Sequence, residues 1–562
     1  MRKIRLPFFV ILLIFLVFIS ILIYPYLAPP VFSYDVVIYG GGFAGCAAAY
    51  SAAWAAPEKE ILLIVSEPVP ALGGLGTVGG QNFADIRYWR NELVTEGSWQ
   101  RWFEESGQFY NTEEMAERLQ KELSQFPNLT ILYQHDLKKA KTKKVAKSKN
   151  IIKSVILAPV YRTEQGSVLW EKGSLKVEGE VFIDASDEGR LVRLAGHPLS
   201  VGRQDWPREY LPSEEQGEGW ARQQAATLMF KVTGVKMPEE PSVKGDLHFV
   251  TDIHGSWAII GGKETWQNNS IIKRFNELYG AQGLALKPLN AAQSGAASEE
   301  WWVNMLLVFD VDGRAREKDR GTSLFVQKGV GAKTVDQAWQ EAREILQEPE
   351  FLEALREFKV VENGEMYGFG EASLVRDEKK KPVVGEVMYL RETVHLLQEP
   401  EDGERYALTT EAVQQAGSNS QEGGDRENYA ERIGLGYYMM DINAFMYSDI
   451  LQEGNYVWPV TGYLRPDWQR AGGQPVNPVY LPYAMLKATK CANLLVPGYA
   501  TGCSSFAWAE VRVLPNLTVL GDAAGVAAAR AVLFGERPTD FRAEQINWVQ
   551  DKLCKMGARL DK

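Results

Sequence analysis

"YDVVIYGGGFAGCAAAY", residues 34–50, is an apolar run ending in three glycines and followed by an alanine-rich stretch. Gly40, Gly42 and Gly45 fill the three places of G-x-G-x-x-G, directly after Val36, Val37 and Ile38. In that pattern the first glycine makes a tight turn, the second lets backbone approach a pyrophosphate, and the third allows close helix–strand packing. The amides of the helix that follows then point at the anion. The next apolar run, "ILLIVSE" at 61–67, ends in Glu67, where a carboxylate can accept from ribose hydroxyls. No arginine follows to receive a 2′-phosphate. The stretch therefore predicts a βαβ unit that holds a dinucleotide.

Outward from this unit, helical spacing of Met115, Leu119 and Leu123 predicts a helix within 111–126, and "NLTILYQHD" (128–136) a strand. The basic run at 137–150 reads as a solvated turn between strands. "EGEVFIDASDEGRLVRLAG" (178–196) reads as strand, turn and helix. From 203 to 470 the pattern is irregular, an inserted α+β region. Strand and helix signals return in "CANLLVPGYATG" (491–502) and "LPNLTVLGDAAGVAAARAVLFGE" (514–536), where Pro515 suits the first turn of a helix. The expected fold is α/β: a discontinuous Rossmann-like dinucleotide-binding domain with an inserted α+β substrate domain and an N-terminal transmembrane helix. Its parts are a membrane anchor (1–33), a first cofactor-domain part (34–202), the inserted substrate or cap domain (203–470) and a C-terminal cofactor-domain part (471–562).

The anchor is read from Arg2, Lys3 and Arg5 followed by no charged residue from 6 to 33. A helix over 7–28 would be ~33 Å long, about the thickness of a hydrocarbon core. A cleaved signal peptide is the competing reading, but bulky aromatics and prolines stand where small residues mark a cleavage site. The basic flank keeps the N-terminus cytoplasmic and sends the catalytic bulk to the extracytoplasmic side.

With 45% hydrophobic and 24% charged residues in 562, the chain is globular and long enough for several structural units. A net charge of −11 argues against nucleic acid as a partner. Four cysteines, 46, 491, 503 and 554, are too scattered for an iron–sulfur or zinc site; no metal is expected, and Cys491 with Cys503 is open as a disulfide.

The choice between FAD and NAD turns on the segments beyond the fingerprint. "EPVPALGG" at 67–74, "FIDASDEG" at 182–189, "VGR" at 201–203, "LRET" at 390–393, "IGLGYYMMDIN" at 433–443 and "NLLVPGY" through "VRVLPNLTVLGDAAGVAAA" at 493–529 occur in order. Together with the glycine cluster they resemble the bacterial FAD-dependent oxidoreductase family, which includes xanthan-lyase-like members. The resemblance implies FAD as cofactor, with Gly40, Gly42, Gly45 and Glu67 on its ADP half and 72–76 near the flavin. Its matched segments add Phe43, Ala44, Gly73, Gly74, Asp184, Gly498, Gly521, Ala523, Ala524 and Gly525 to the cofactor-binding set. They also supply the candidate catalytic residues Arg391, Tyr438, Asp441, Asn443, Ser505 and Arg512.

Two departures fall where chemistry is expected. Family members often carry histidine in a D-I-H segment and in an S-A-T-H segment; this chain has Asn443 and Ser505 there. Its five histidines all lie elsewhere, and only His395, just after Arg391-Glu392-Thr393, is a candidate for a test. Arg391 or Arg512 would stabilise negative charge, and Tyr438 or Asp441 would handle a proton.

No second glycine fingerprint and no paired redox cysteines occur, so the hydride donor is read as a small substrate itself, passing its electrons through flavin to an unidentified acceptor. Tryptophans 89, 99, 102, 257, 266, 301 and 302 offer stacking faces and lean the substrate toward a carbohydrate. Two other readings stand beside this one: a flavoenzyme with no net redox change, and a catalytically idle, membrane-anchored FAD-binding protein.

Overall fold

Val36 to Tyr39 are buried on both sides, as a strand in the middle of a parallel sheet must be. In the computed structural model, which describes residues 29–146, 148–216, 220–327, 332–398, 406–416, 425–453 and 477–562, they end strand β1 (Val31–Tyr39). Helix α1 (Phe43–Ala55) leads to β2 (Ile61–Ile64), and α2 (Thr112–Leu123) to β3 (Leu129–Leu132). Three strands follow: β4 (His135–Lys144), β5 (Asn150–Arg162) and β6 (Leu175–Asp184). Much later come β7 (Leu494–Leu495) and helix α3 (Leu514–Phe534). The sheet order is β3-β2-β1-β6-β5-β4, with β7 against β6 and a short strand, Val168–Trp170, against β5. β3, β2, β1, β6 and β7 run parallel, with Val36 opposite both Ile61 and Val181. This is a Rossmann-like parallel core closed by a strand from near the chain's far end.

Period-two alternation divides the core. Val36 and Ile38 pack with α1 and α3 on one face, and Val37 and Tyr39 with β5 and the 191–201 segment on the other. The same alternation corrects the open disulfide: Cys491 belongs to the second face and Cys503 to the first, and all four cysteines are free. The basic run also departs from expectation, since most of it is the edge strand β4, paired antiparallel with β5. Its exposed Lys139, Lys141, Lys143 and Lys144 suit an edge that must not pair further.

Helix α3 lies along α1. A Cβ added at Gly521 would fall 2.2 Å from Ala44 O, and one at Gly525 2.3 Å from Ala48 O, so only glycine permits this approach. The apolar N-terminal segment expected to span a membrane, 7–28, lies outside the described residues. Among the described residues α3 alone is long and apolar enough to cross a bilayer, and 89% of its most apolar window is buried inside the protein, so it is a core helix. Strand β1 already begins at Val31, inside the span read as anchor, because 31–33 pair with 176–178 of β6.

The stretch 203–470 contains a second, eight-stranded sheet, antiparallel throughout. Its order is Ser242–Lys244, Leu247–Thr251, Trp257–Gly261, Leu289–Gln293, Trp301–Val308, Ala226–Thr233 and Ser373–Leu374, with Leu284–Leu286 also on Trp301–Val308. The chain then returns to the first layer: Val394–Leu396 pairs with Leu199–Val201, and Arg432–Gly436 pairs with Val479–Pro482.

Candidate functional site

The turn from β1 to α1 is made by glycines that have no alternative. Gly40 sits at φ +110°, and a Cβ there would lie 2.7 Å from Ala185 C and O. A Cβ at Gly45 would lie 1.8 Å from Gly40 O. Gly42 is different: a Cβ there meets nothing within 4 Å. It caps α1 without any side-chain bond, so the first amides of the helix have no intrahelical partner. Gly73 joins this turn by donating its N–H to Gly41 O at 2.8 Å, and Gly74 closes over it, where a Cβ would stand 3.1 Å from Gly42 Cα and 3.2 Å from Glu67 Oε1.

Glu67 is half-buried, and its enclosed Oε2 has no partner among the described residues. Burial first, and then the charges of Asp187, Asp136 and Glu188, push its carboxyl up to about 7 despite one backbone hydrogen bond. An enclosed acceptor left open beside the glycine cradle calls for a donor from a ligand. A ribose hydroxyl next to a pyrophosphate supplies it, so the residues present fit the ADP half of FAD. The cleft here is also lined by Asp187, Arg316, Lys318 and Trp339, none of which the sequence singled out. Burial and the neighbouring Glu188 raise Asp187 to about 7.

Several residues expected on the cofactor are committed elsewhere. Asp184 accepts from Ser186 N, Ser186 Oγ and Val192 N at 3.1, 2.6 and 2.8 Å, so it ties the turn after β6, while Ala185 to Glu188 line the cleft. Gly498 backs that turn, where a Cβ would stand 2.7 Å from Ala185 C. Gly521 and Gly525 serve the α1–α3 contact, and Ala523 and Ala524 are fully buried in the same helix. Ala44 belongs to the opposite side of that contact. The Phe43 ring lies 5.5 Å from that of Trp99.

A second, wider cleft of about 1750 Å³ brings together Arg391, Tyr438, Asp441 and Asn443 with Asp85, Arg87 and Lys287. Asp441 Oδ2 receives Arg391 Nη1 at 3.2 Å and Arg512 Nη2 at 2.5 Å. Burial alone would raise the Asp441 carboxyl, but the two guanidiniums win and hold it well below the usual range. Arg512 Nη1 donates to the Tyr389 hydroxyl. Helix α3 starts two residues beyond Arg512 with no side-chain cap, so its positive end adds to the arginines. Tyr438 donates to Asp85 Oδ1 at 3.1 Å beneath the Arg87 guanidinium, 4.7 Å from the ring centroid. Burial, then Asp85 and Asp441, push the Tyr438 hydroxyl well above 10. Asn443 is 0% exposed; its backbone N–H donates to Gln224 Oε1 at 2.9 Å, yet neither atom of its carboxamide has a partner among the described residues. Lys287 is buried, and burial together with Arg391 pushes its ammonium down to about 7.

Ser505 is not in this cleft. Its hydroxyl donates to Glu392 and accepts from Trp206 Nε1 at 3.0 Å, and Glu392 Oε1 also stands 3.0 Å from His395 Nε2. His395 thus belongs to a fully buried cluster. The tryptophan platform also dissolves: Trp99, Trp102, Trp266, Trp301 and Trp302 are core residues, and the aromatic rings of the wide cleft are Phe83, Phe109 and Tyr438. Lys287 was legible in principle, as a lone cation in the apolar "LALKPLN".

A family model described as FAD dependent oxidoreductase matches residues 35–553. A search of curated proteins gave no match. Among solved structures, the p-nitrophenol 4-monooxygenase PnpA from Pseudomonas putida DLL-E4 is similar at 10% identity and a TM-score of 0.23 over 49% of this chain, which spans 57% of that one. The myxobacterial chondrochloren halogenase CndH is similar at 10% identity and a TM-score of 0.30, over 66% of this chain and 67% of that one. The family match, over nearly all of the chain that builds the cradle and both clefts, makes the protein an enzyme of the FAD dependent oxidoreductase family, with FAD as its cofactor.

Proposed function

We propose that the enzyme oxidises a small polar molecule in the wide cleft, with the substrate itself as hydride donor. Bound FAD supplies the hydride acceptor. The carrying observation is the ion triad Arg391–Asp441–Arg512, which stands on the cleft wall immediately before the uncapped start of α3. This concentrates fixed positive charge where negative charge develops on reactants, without any group having to move. Asp85, Tyr438 and Arg87 hold one another in a second, half-buried set beside the triad, with the Arg512 guanidinium 5.7 Å from the Tyr438 ring centroid. The electrons then pass to an acceptor from outside the chain, since the sequence carries a single glycine fingerprint. Purified holoenzyme mixed without oxygen with sugars, alcohols, hydroxy acids and amines tests this: one of them bleaches the flavin absorbance. An unchanged spectrum with all of them overturns it.

The uncharged run from 6 to 33 behind three basic residues supports an anchor that holds this enzyme at a membrane, with the catalytic part extracytoplasmic. Protease added to sealed, oriented membrane vesicles tests the placement, and digestion only from the cytoplasmic side refutes it.

A further inference from the structure

The wide cleft holds a buried amine beside the ion triad. Lys287 follows the strand Leu284–Leu286, and its backbone is fixed by donation to Met305 O at 3.0 Å. Its side chain is 4% exposed and lines the cleft beside Arg391, Tyr438, Asp441 and Asn443. The charged groups that act on it are Arg391 and Arg512 on one side and Asp441 and Asp85 on the other, with Arg87, Lys263 and His248 farther along the lining.

We propose that Lys287 accepts the proton in the reaction and that the substrate is an alcohol whose hydroxyl is held at the Asn443 carboxamide. This rests on the oxidative reading above. Asn443 presents buried donors and a buried acceptor, all unused, and a hydroxyl is the small group that answers both at once. Apart from Lys287, the lining carries Arg87, Lys263 and Arg391 against Asp85 and Asp441, and Asp441 is already shared by two arginines. That positive excess disfavours an ammonium substrate.

The other candidates are poorly matched to the task. Tyr438 stays protonated and donates to Asp85, Asp441 is too weak a base, His248 lines the cleft from an exposed position, and His395 lies outside it, enclosed with Glu392. Lys287, pushed down to about 7, is in part an uncharged amine near neutral pH, where a general base works best. In the step, the carbinol C–H bond breaks with its electron pair going to FAD. The O–H proton goes to Lys287 Nζ, and the C–O bond becomes a carbonyl. The resulting ammonium returns its proton to water once product leaves.

The test uses full-chain holoenzyme and the variants Lys287→Met and Lys287→Arg, mixed anaerobically with glycerol, sorbitol, glucose, lactate and, as a contrast, benzylamine. An alcohol is expected to bleach the flavin, at a rate that rises through pH about 7. Lys287→Met is expected to lose about 10²-fold or more of that rate and its pH dependence, with partial rescue by added methylamine. Its flavin spectrum and FAD affinity stay unchanged. Separately from turnover, acetic anhydride labelling read by mass spectrometry should place the reactivity midpoint of Lys287 near pH 7, with exposed lysines of the same sample as the internal reference. Bleaching by benzylamine alone, a Lys287→Met rate within about threefold of wild type, or Lys287 titrating with the surface lysines overturns the proposal. If no compound bleaches the flavin, the oxidative reading fails and this proposal fails with it; an active enzyme indifferent to Lys287→Met removes this proposal alone.

Discussion

Arg512 meets Asp441 at 2.5 Å, and that contact joins the segment after the strand Arg432–Gly436 to the start of α3. Arg391 reaches the same oxygen, so one carboxylate holds two buried cations. Replacing Asp441 by Asn leaves both uncompensated, which costs roughly 3 kcal/mol in buried settings. The depressed folded value of Asp441 means its stabilisation is complete above the unfolded value of about 3.9 and is lost as pH falls below it. Thermal unfolding should therefore show a constant gap between wild type and Asp441→Asn from pH 5 to 8, closing in acid.

Glu67 behaves in the opposite sense. Its raised folded value disfavours the folded apoprotein as pH climbs from about 4.3 toward 7. Glu67→Gln should raise the apoprotein's melting temperature at pH 8 and leave it unchanged at pH 4. Ribose hydroxyls donate to the charged carboxylate, so FAD binding by wild type should tighten between pH 6 and 8. In Glu67→Gln that pH dependence disappears and affinity drops about tenfold, as for one lost charged hydrogen bond. Flavin fluorescence quenching in apoprotein titrations reads both.

Gly42 and Gly45 separate binding from folding. A methyl at Gly42 enters open space, so Gly42→Ala should melt with wild type as apoprotein yet bind FAD far more weakly. A methyl at Gly45 collides with Gly40 O, so Gly45→Ala should destabilise the apoprotein itself. Paired melting and FAD-binding curves distinguish the two.

Asn443→Leu removes an unpaired buried amide, and relief of about 1–2 kcal/mol should raise the melting temperature. The same change should lower kcat/KM for the substrate that bleaches the flavin. A variant that is neither more stable nor less active contradicts a ligand-facing Asn443.

The cofactor half was readable because its signals are local. Gly40, Gly42, Gly45 and Glu67 lie within one βαβ unit, and each spacing has a backbone cause that holds in any context. The reading of 137–150 as a turn failed because lysine density masked the pairing of β4 with β5, and an edge strand tolerates lysine on its open side. Asp184 and Ser505 were drawn in by neighbouring motif residues, although the turn after β6 and the Glu392 cluster absorb them. Lys287 and the Asp85–Arg87 pair come from two distant segments, and only the tertiary fold puts them in one cleft. Tryptophan frequency misled for a simpler reason: large rings fill cores before they line surfaces.

The glycine seam between α1 and α3 also governs how the enzyme comes into being. The segment that first leaves the ribosome with the nucleotide fingerprint buries its helix against residues 521–525, which are synthesised some hundreds of residues later. Such a nascent chain must carry an unfinished nucleotide fold through most of translation, so loading with flavin is a late, post-synthetic event.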